Sequence, residues 1–380
     1  MQRIRYGMIG GGRDAFIGAV HRAAARLDDG YVLTAGALSS SPEKAIAAAE
    51  DLGIPRPYRS WEQMMAEESA LPASERIQAV VIVTPNHMHA HPALAAIQAG
   101  FHVICDKPLC LSSQDATELS SAVRTQGGVF AVTYNYSGYP MVKQAKHLVR
   151  IGRLGPIRKV IVEYNQGWLA TKLEETGQKQ ADWRTDPARA GVGGAIGDIG
   201  SHAEQLVNYI TGLEINEICA DLTSFVPGRM LDDDANVLLR FKEQDGTIAK
   251  GILAVSQIMV GSNNHLRIRV CGQDASLDWQ QEHPDHLLFT PIDGPDEVYH
   301  RGTEGLCAEA TDASRIPPGH PEAFIEAFAN VYRGARQAML GERATLDFPT
   351  IEDGARGVRF IETVVESART DLKWTLFRTR

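Results

Sequence analysis

Asp198 and His202 stand four residues apart in the run Gly194-Ala195-Ile196-Gly197-Asp198-Ile199-Gly200-Ser201-His202. If a helix starts here, the carboxylate and the imidazole share one face, and the glycines let a ligand approach the backbone. Alone, the spacing also fits a helix cap followed by an ordinary histidine. Two further segments add weight. One is the turn Gly10-Gly11-Gly12 after a first strand; the other is Cys105-Asp106-Lys107-Pro108, where the proline restricts the backbone that aims Lys107. A half-buried lysine stabilises a developing alkoxide, although a single lysine in a turn is more often a solvated side chain.

The glycine turn suits a dinucleotide pyrophosphate at a helix N-terminus. Its third glycine is displaced to Gly18, behind Arg13-Asp14-Ala15-Phe16-Ile17, which implies a longer turn with Arg13 near phosphate. Gly10, Gly12, Arg13, Phe16 and Ile17 are the candidate contacts there. After the second strand an NAD-specific site carries an acid, whereas this chain has Ser39, Ser40 and Ser41. Serines accept a 2′-hydroxyl or a 2′-phosphate, and Lys44 neutralises the latter; the plainer reading makes Ser41 a helix cap and Lys44 a solvated side chain. The cofactor is therefore NAD or NADP, with NAD favoured. Thr84, Asn86 and His89 lie in Thr84-Pro85-Asn86-His87-Met88-His89 at the edge where open α/β sheets bind ligands. Alternating His87, His89 and His91 point in different directions and have no carboxylate partner close by, so no metal site is expected.

The first 130 or so residues alternate strand candidates (Ile4 to Ile9, Tyr31 to Leu38, Ala79 to Thr84, His102 to Cys105, Val129 to Thr133) with helical patterns (His21 to Leu27, Pro42 to Leu52, Pro92 to Ala99, Ser113 to Thr125). This rhythm predicts a parallel sheet covered on both faces, closing near Tyr134 as a dinucleotide-binding domain of residues 1–134. Residues 135–380 read as a second domain. Its longer alternating strands (Lys159 to Asn165, Ala235 to Phe241, Thr247 to Ser256, His265 to Cys271), with a turn at Gln244-Asp245-Gly246, predict a mostly antiparallel sheet. Helices are expected at Met141 to Ile151, Pro321 to Arg336 and Ile351 to Thr370, and an irregular stretch from His283 to Pro318.

Two domains suit 380 residues, and 44% apolar with 22% charged residues predicts a folded chain. A net charge of -9 without a Lys/Arg block argues against nucleic acid and anionic membranes and for a small-molecule partner. Five scattered cysteines and no recognisable leader or membrane span predict reduced thiols and a cytoplasmic location.

In this order and spacing the glycine turn, Thr84-Pro85-Asn86-His87, Asp106-Lys107-Pro108 and Gly197-Asp198-Ile199-Gly200-Ser201-His202 resemble the Gfo/Idh/MocA family of nicotinamide-dependent oxidoreductases, over nearly the whole chain. The resemblance implies a Rossmann domain and a second domain with an open-faced antiparallel sheet, whose exposed face makes the dimer or tetramer contact. It implies Lys107, Asp198 and His202 as the catalytic set, with Asn86 and Asp106 along the cofactor. His202 is the expected base and Lys107 the holder of the reacting oxygen, although these roles can be exchanged. Trp183, Arg184 and Tyr136 are expected to contact substrate, while Ser137 departs from the basic residue of many relatives. The implied activity is oxidation of a secondary hydroxyl of a cyclitol or pyranose sugar; a keto-sugar reductase using NADPH and a catalytically silent nucleotide binder are the alternatives.

Overall fold

The computed structural model describes residues 2–13, 15–244, 246–342 and 346–378; Asp14 of the glycine turn and Asp245 of the expected hairpin turn lie outside them. The chain forms two compact units. The first comprises Met1–Asn135 and Phe324–Ala355, the second Tyr136–Ala323 and Arg356–Arg380.

The first unit holds strands β1 (Ile4–Gly10), β2 (Tyr31–Ala37), β3 (Arg56–Pro57), β4 (Ala79–Val83), β5 (His102–Cys105) and β6 (Phe130–Val132). They form one sheet in the order β3-β2-β1-β4-β5-β6, every pairing parallel. The order reverses between β1 and β4, which is where doubly wound sheets open a ligand crevice at their C-terminal edge. The glycine turn leaves β1, Thr84 follows β4, and Asp106 and Lys107 follow β5. The expected α/β architecture is present. β3 and the helix Trp61–Ala70 were not foreseen; β3 has two residues, too short for a periodicity to show.

A single boundary near Tyr134 does not describe the division, because the helix Phe324–Met339 lies in the first unit. Phe324, Phe328, Tyr332 and Ala335 make an apolar stripe that packs on the helix Phe16–Leu27 and the β1–β2 core. The periodicity announces the helix but not which core receives it.

The second unit carries β7 (Ile157–Asn165), β8 (Ile215–Thr223), β9 (Asp234–Phe241), β10 (Lys250–Ser256), β11 (His265–Gly272), β12 (Ala275–Gln280), β13 (His286–Pro291), β14 (Glu297–His300) and β15 (Thr375–Leu376). Their order is β14-β13-β12-β11-β7-β10-β9-β8-β15; only β7 and β10 pair in parallel. The stretch His283 to Pro318 is not irregular: it contains β13, β14 and the helix Ala308–Asp312. Its Pro, Asp and Gly residues sit mainly in the connections, while His286-Leu287-Leu288-Phe289 alternates buried and exposed residues as a half-buried strand must. All five cysteines are free thiols. Among the described residues no helix is long and apolar enough to cross a membrane.

The glycine turn shows how tightly β1 is joined to the helix Phe16–Leu27. A Cβ on Gly18 would lie 2.4 Å from Gly11 Cα, so Gly18 performs the close strand-to-helix packing of a third glycine despite its displacement. Gly53, in contrast, needs only its left-handed φ of +64° and has open space around it. Gly18→Ala is expected to cost at least about 3 kcal/mol of stability through overpacking, and Gly53→Ala only about 1–2 kcal/mol. Urea unfolding of the two variants checks the ranking; equal losses would contradict it.

Candidate active site

In the first unit the segments that follow β5 and β6 and the helix Phe16–Leu27 meet at Asp106. Asp106 accepts a hydrogen bond from Thr133 Oγ1 at 2.8 Å, and His21 Nε2 lies 3.9 Å from its Oδ1, an electrostatic contact too long for a hydrogen bond. His21, fully buried in the helix Phe16–Leu27, is bonded at Nδ1 to the Tyr332 hydroxyl at 2.8 Å. Burial alone would push the Asp106 pKa up; His21, Lys107 and His89 more than offset it and hold the carboxyl well below the usual range. Lys107 is half-buried, and its peptide bond to Pro108 is cis.

The other cofactor candidates are placed as follows. Arg13 forms an ion pair with Asp51 at the surface, an interaction weak enough to be exchanged for another anion. Phe16 is exposed and stacks on Phe324, while Ile17 packs against the core. Ser39 Oγ accepts from the Ser41 N–H, and Ser40 and Lys44 are exposed. Ser41 occupies the N-cap position, but its hydroxyl donates to Glu43 instead of accepting a backbone N–H. Thr84 Oγ1 donates to Met88 O, and Asn86 is buried. His89 is fully buried, its ring turned into the unit, so it acts behind the surface that a ligand can reach. The turn fits a dinucleotide: Gly10 and Gly11 have φ of +78° and +72°, and a Cβ on Gly12 would lie 2.7 Å from Leu38 O. Such a bare turn at a helix start leaves N–H groups accessible to a pyrophosphate.

In the second unit Asp198 lies in a π-helical turn, Ile196–Gly200, that leads into the helix Ser201–Thr211. The α-helical start expected from the spacing is thus replaced by a wider turn, closed by the Ser201 N–H on Ile196 O five residues back. Asp198 Oδ2 accepts from Arg184 Nε at 3.1 Å and from Gln257 Nε2 at 2.9 Å. Arg184 lies over the Trp183 ring, 4.2 Å from its centroid. The buried His202 ring meets Tyr136 edge-on at 4.9 Å, and Asp198 acts on the same tyrosine electrostatically. The expected residues Tyr136, Trp183, Arg184, Asp198 and His202 are thereby gathered in one region of this unit.

Four participants were not anticipated. Gln257 follows directly on β10, where a polar residue at a strand end was the available signal. Tyr164 and Asn264 close a ring with Tyr136: Tyr164 donates to Asn264 Oδ1 at 2.7 Å, Asn264 Nδ2 donates to the Tyr136 hydroxyl at 3.2 Å, and the two hydroxyls lie 2.5 Å apart. The Tyr136 proton therefore faces Tyr164, and burial pushes both phenols' pKa values up, so what Tyr136 presents to His202 is its ring. The fourth is Asp232, whose carboxylate accepts the Gly194 and Ile196 N–H groups at 2.6 and 2.7 Å. A Cβ on Gly194 would lie 2.1 Å from Asp232 O, so this glycine admits the chain's own backbone, not a ligand; Gly197 does face open space.

Among the described residues one group offers three potential metal ligands within 4.8 Å of one another, His147, Cys307 and Glu309. Arg150 bonds His147 Nδ1 at 3.0 Å and Glu309 Oε1 at 3.2 Å, which already places a cation there.

The oxidoreductase-family model for an NAD-binding Rossmann fold, Gfo/Idh/MocA type, matches residues 4–134, and the Gfo/Idh/MocA C-terminal domain model matches residues 142–278. An oxidoreductase structure from Sinorhizobium meliloti is 44% identical, covering 99% of this chain and 100% of that one, with a TM-score of 0.89. An inositol dehydrogenase homologue from Azotobacter vinelandii, solved with NADH and myo-inositol, is 34% identical over 99% of this chain and 98% of that one, with a TM-score of 0.91. Levoglucosan dehydrogenase of Pseudarthrobacter phenanthrenivorans is 28% identical over 317 residues, 76% of each chain.

Burial raises the Asp232 pKa from 3.8 to about 6, against the pull of the two N–H groups. The folded state therefore keeps a proton that the unfolded chain has lost, and this stabilisation, complete below pH 3.8, drains away as pH rises through 6. Relative to Asp232→Asn, the wild type should lose up to roughly 3 kcal/mol across that window. Urea midpoints of both proteins as a function of pH decide it; parallel profiles would contradict the assignment.

Proposed function

This chain belongs to the Gfo/Idh/MocA family of NAD-binding oxidoreductases, and from that premise we propose that it oxidises a secondary hydroxyl of a cyclitol or pyranose sugar. The observation that carries the reading is the Asp198 carboxylate, held by Arg184 and Gln257 one turn before the buried His202. Fixed charged and amide groups of this kind suit the vicinal hydroxyls of a ring polyol. The myo-inositol bound to the Azotobacter homologue and the substrate in the name of levoglucosan dehydrogenase support the same class.

When bound, NAD supplies the acceptor for the hydride that leaves the carbinol carbon. His202 takes the hydroxyl proton at an imidazole nitrogen. Lys107 donates a hydrogen bond to the same oxygen and stabilises its alkoxide character. Arg184 already offsets the charge of Asp198, so Asp198 serves better as acceptor for a neighbouring hydroxyl than as a tuner of His202. Gly10, Gly12 and the Thr84–Asn86 loop hold the dinucleotide, with Asp106 behind Lys107. Leu238, Leu288 and Val298, exposed on one face of the second sheet, are the surface for a second copy of the chain in a homo-oligomer.

A second reading, an NADPH-dependent keto-sugar reductase, rests on the serines after β2: Ser40 and Lys44 are both exposed where a 2′-phosphate would need them. Absorbance at the reduced-nicotinamide band, with NAD+ and NADP+ against a panel of inositols and aldoses, tests both. Turnover of a ring polyol with NAD+ is expected; a strong NADP(H) preference with keto-sugars selects the reductase. Binding of a dinucleotide without turnover of any polyol would defeat the dehydrogenase reading. Lys107→Ala should lower kcat by about a hundred- to ten-thousand-fold while NADH still binds.

A further inference from the structure

His89 bridges two loops. Its Nδ1 lies 2.8 Å from Pro108 O and its Nε2 2.9 Å from Thr84 O, with the side chain wholly buried. One carbonyl belongs to the loop that carries Asn86 after β4, the other to the loop that carries Lys107 after β5. The two ring nitrogens thus reach segments that follow two different strands. Both partners here are acceptors, so a neutral ring donates its single N–H to one loop only, and the protonated ring, with two N–H groups, fastens both. Burial pushes the imidazole's pKa down and Lys107 adds to that, while Asp106 and the two carbonyls favour the charged ring.

The ring does not reach the surface, so its effect passes through the backbone it holds. Buried hydrogen bonds of this kind cost about 1–3 kcal/mol when one partner is removed and the other is left unsatisfied. That is enough to let a short loop shift, and a small displacement of a catalytic group is expensive in rate.

We propose that His89 is a positioning residue that stitches the Thr84–Met88 loop to the Asp106–Pro108 loop and so presents Asn86 and Lys107 to the dinucleotide in one fixed relation. The role rests on the reading that these loops form the dinucleotide-binding and catalytic edge. It differs from a direct cofactor contact, which the buried ring cannot make. His89→Gln retains a donor for one carbonyl and His89→Leu retains none.

The test uses the full chain and two readouts that need no polyol: hydrogen exchange by mass spectrometry, and NADH affinity by fluorescence. In His89→Leu, exchange should rise together in peptides covering residues 84–89 and 106–109 and stay unchanged elsewhere. The NADH dissociation constant should increase about tenfold, with His89→Gln between the two. Loosening of one loop alone, a general rise across the unit, or unchanged NADH affinity with both loops loosened would each overturn the proposal. If His89→Leu does not fold, the wild type decides: a slowly exchanging, downfield imidazole N–H signal from His89 is expected, and its absence overturns the assignment. If the wild type binds NADH but turns over no polyol, the dehydrogenase reading fails while the exchange result still judges His89.

Discussion

An ionised carboxylate inside the first unit is the constraint around which its functional edge is organised. Asp106 stays charged despite burial because His21, Lys107 and His89 act on it from the helix after β1, from its own loop and from the loop after β4. A buried charge without such partners would cost several kcal/mol, so the three segments are obliged to converge. The Thr133 hydroxyl adds a bond from the segment after β6.

The second unit uses a carboxylate differently. Asp232 is held by the backbone N–H groups of Gly194 and Ile196, and burial raises its pKa where that of Asp106 falls. What it gains is geometry: it holds Gly194 and Ile196 at the mouth of the π-helical turn, and Gly194 has no Cβ to obstruct the approach. Asp198 inherits its position from that clamp. Arg184 and Gln257 then fix its carboxylate, and the Tyr136–Tyr164–Asn264 ring supports the wall against which His202 rests.

The alternation of β-branched runs and helices made the parallel sheet legible in the chain, because strands buried on both faces read as short apolar segments. The second sheet was legible where its strands alternate strongly and hidden from His283 to Pro318, where turn residues dominate the composition. The return of Phe324–Met339 to the first unit could not be read, since periodicity gives a helix its apolar face but not its partner. The glycine run was visible, but the π-helical turn and the Asp232 clamp depend on a residue about forty positions away along the sequence. Gln257 and Asn264, single polar residues at strand ends, carry no pattern of their own. His89 was visible as one of several polar residues after β4; that its ring faces inward followed only from the packing.

Each unit thus builds its own carboxylate-centred construction, and the first adds a bare glycine turn that fits a dinucleotide. The central claim is that a carbon-bound hydrogen of a ring polyol is removed as hydride. Incubation with NAD+ and carbon-deuterated myo-inositol or a deuterated aldose, followed by mass spectrometry of the reduced dinucleotide, tests it most directly. The account predicts one deuterium in the recovered dinucleotide and a primary isotope effect on turnover. Reduced dinucleotide without the label, or none formed by any ring polyol while the protein binds NAD+, would contradict it.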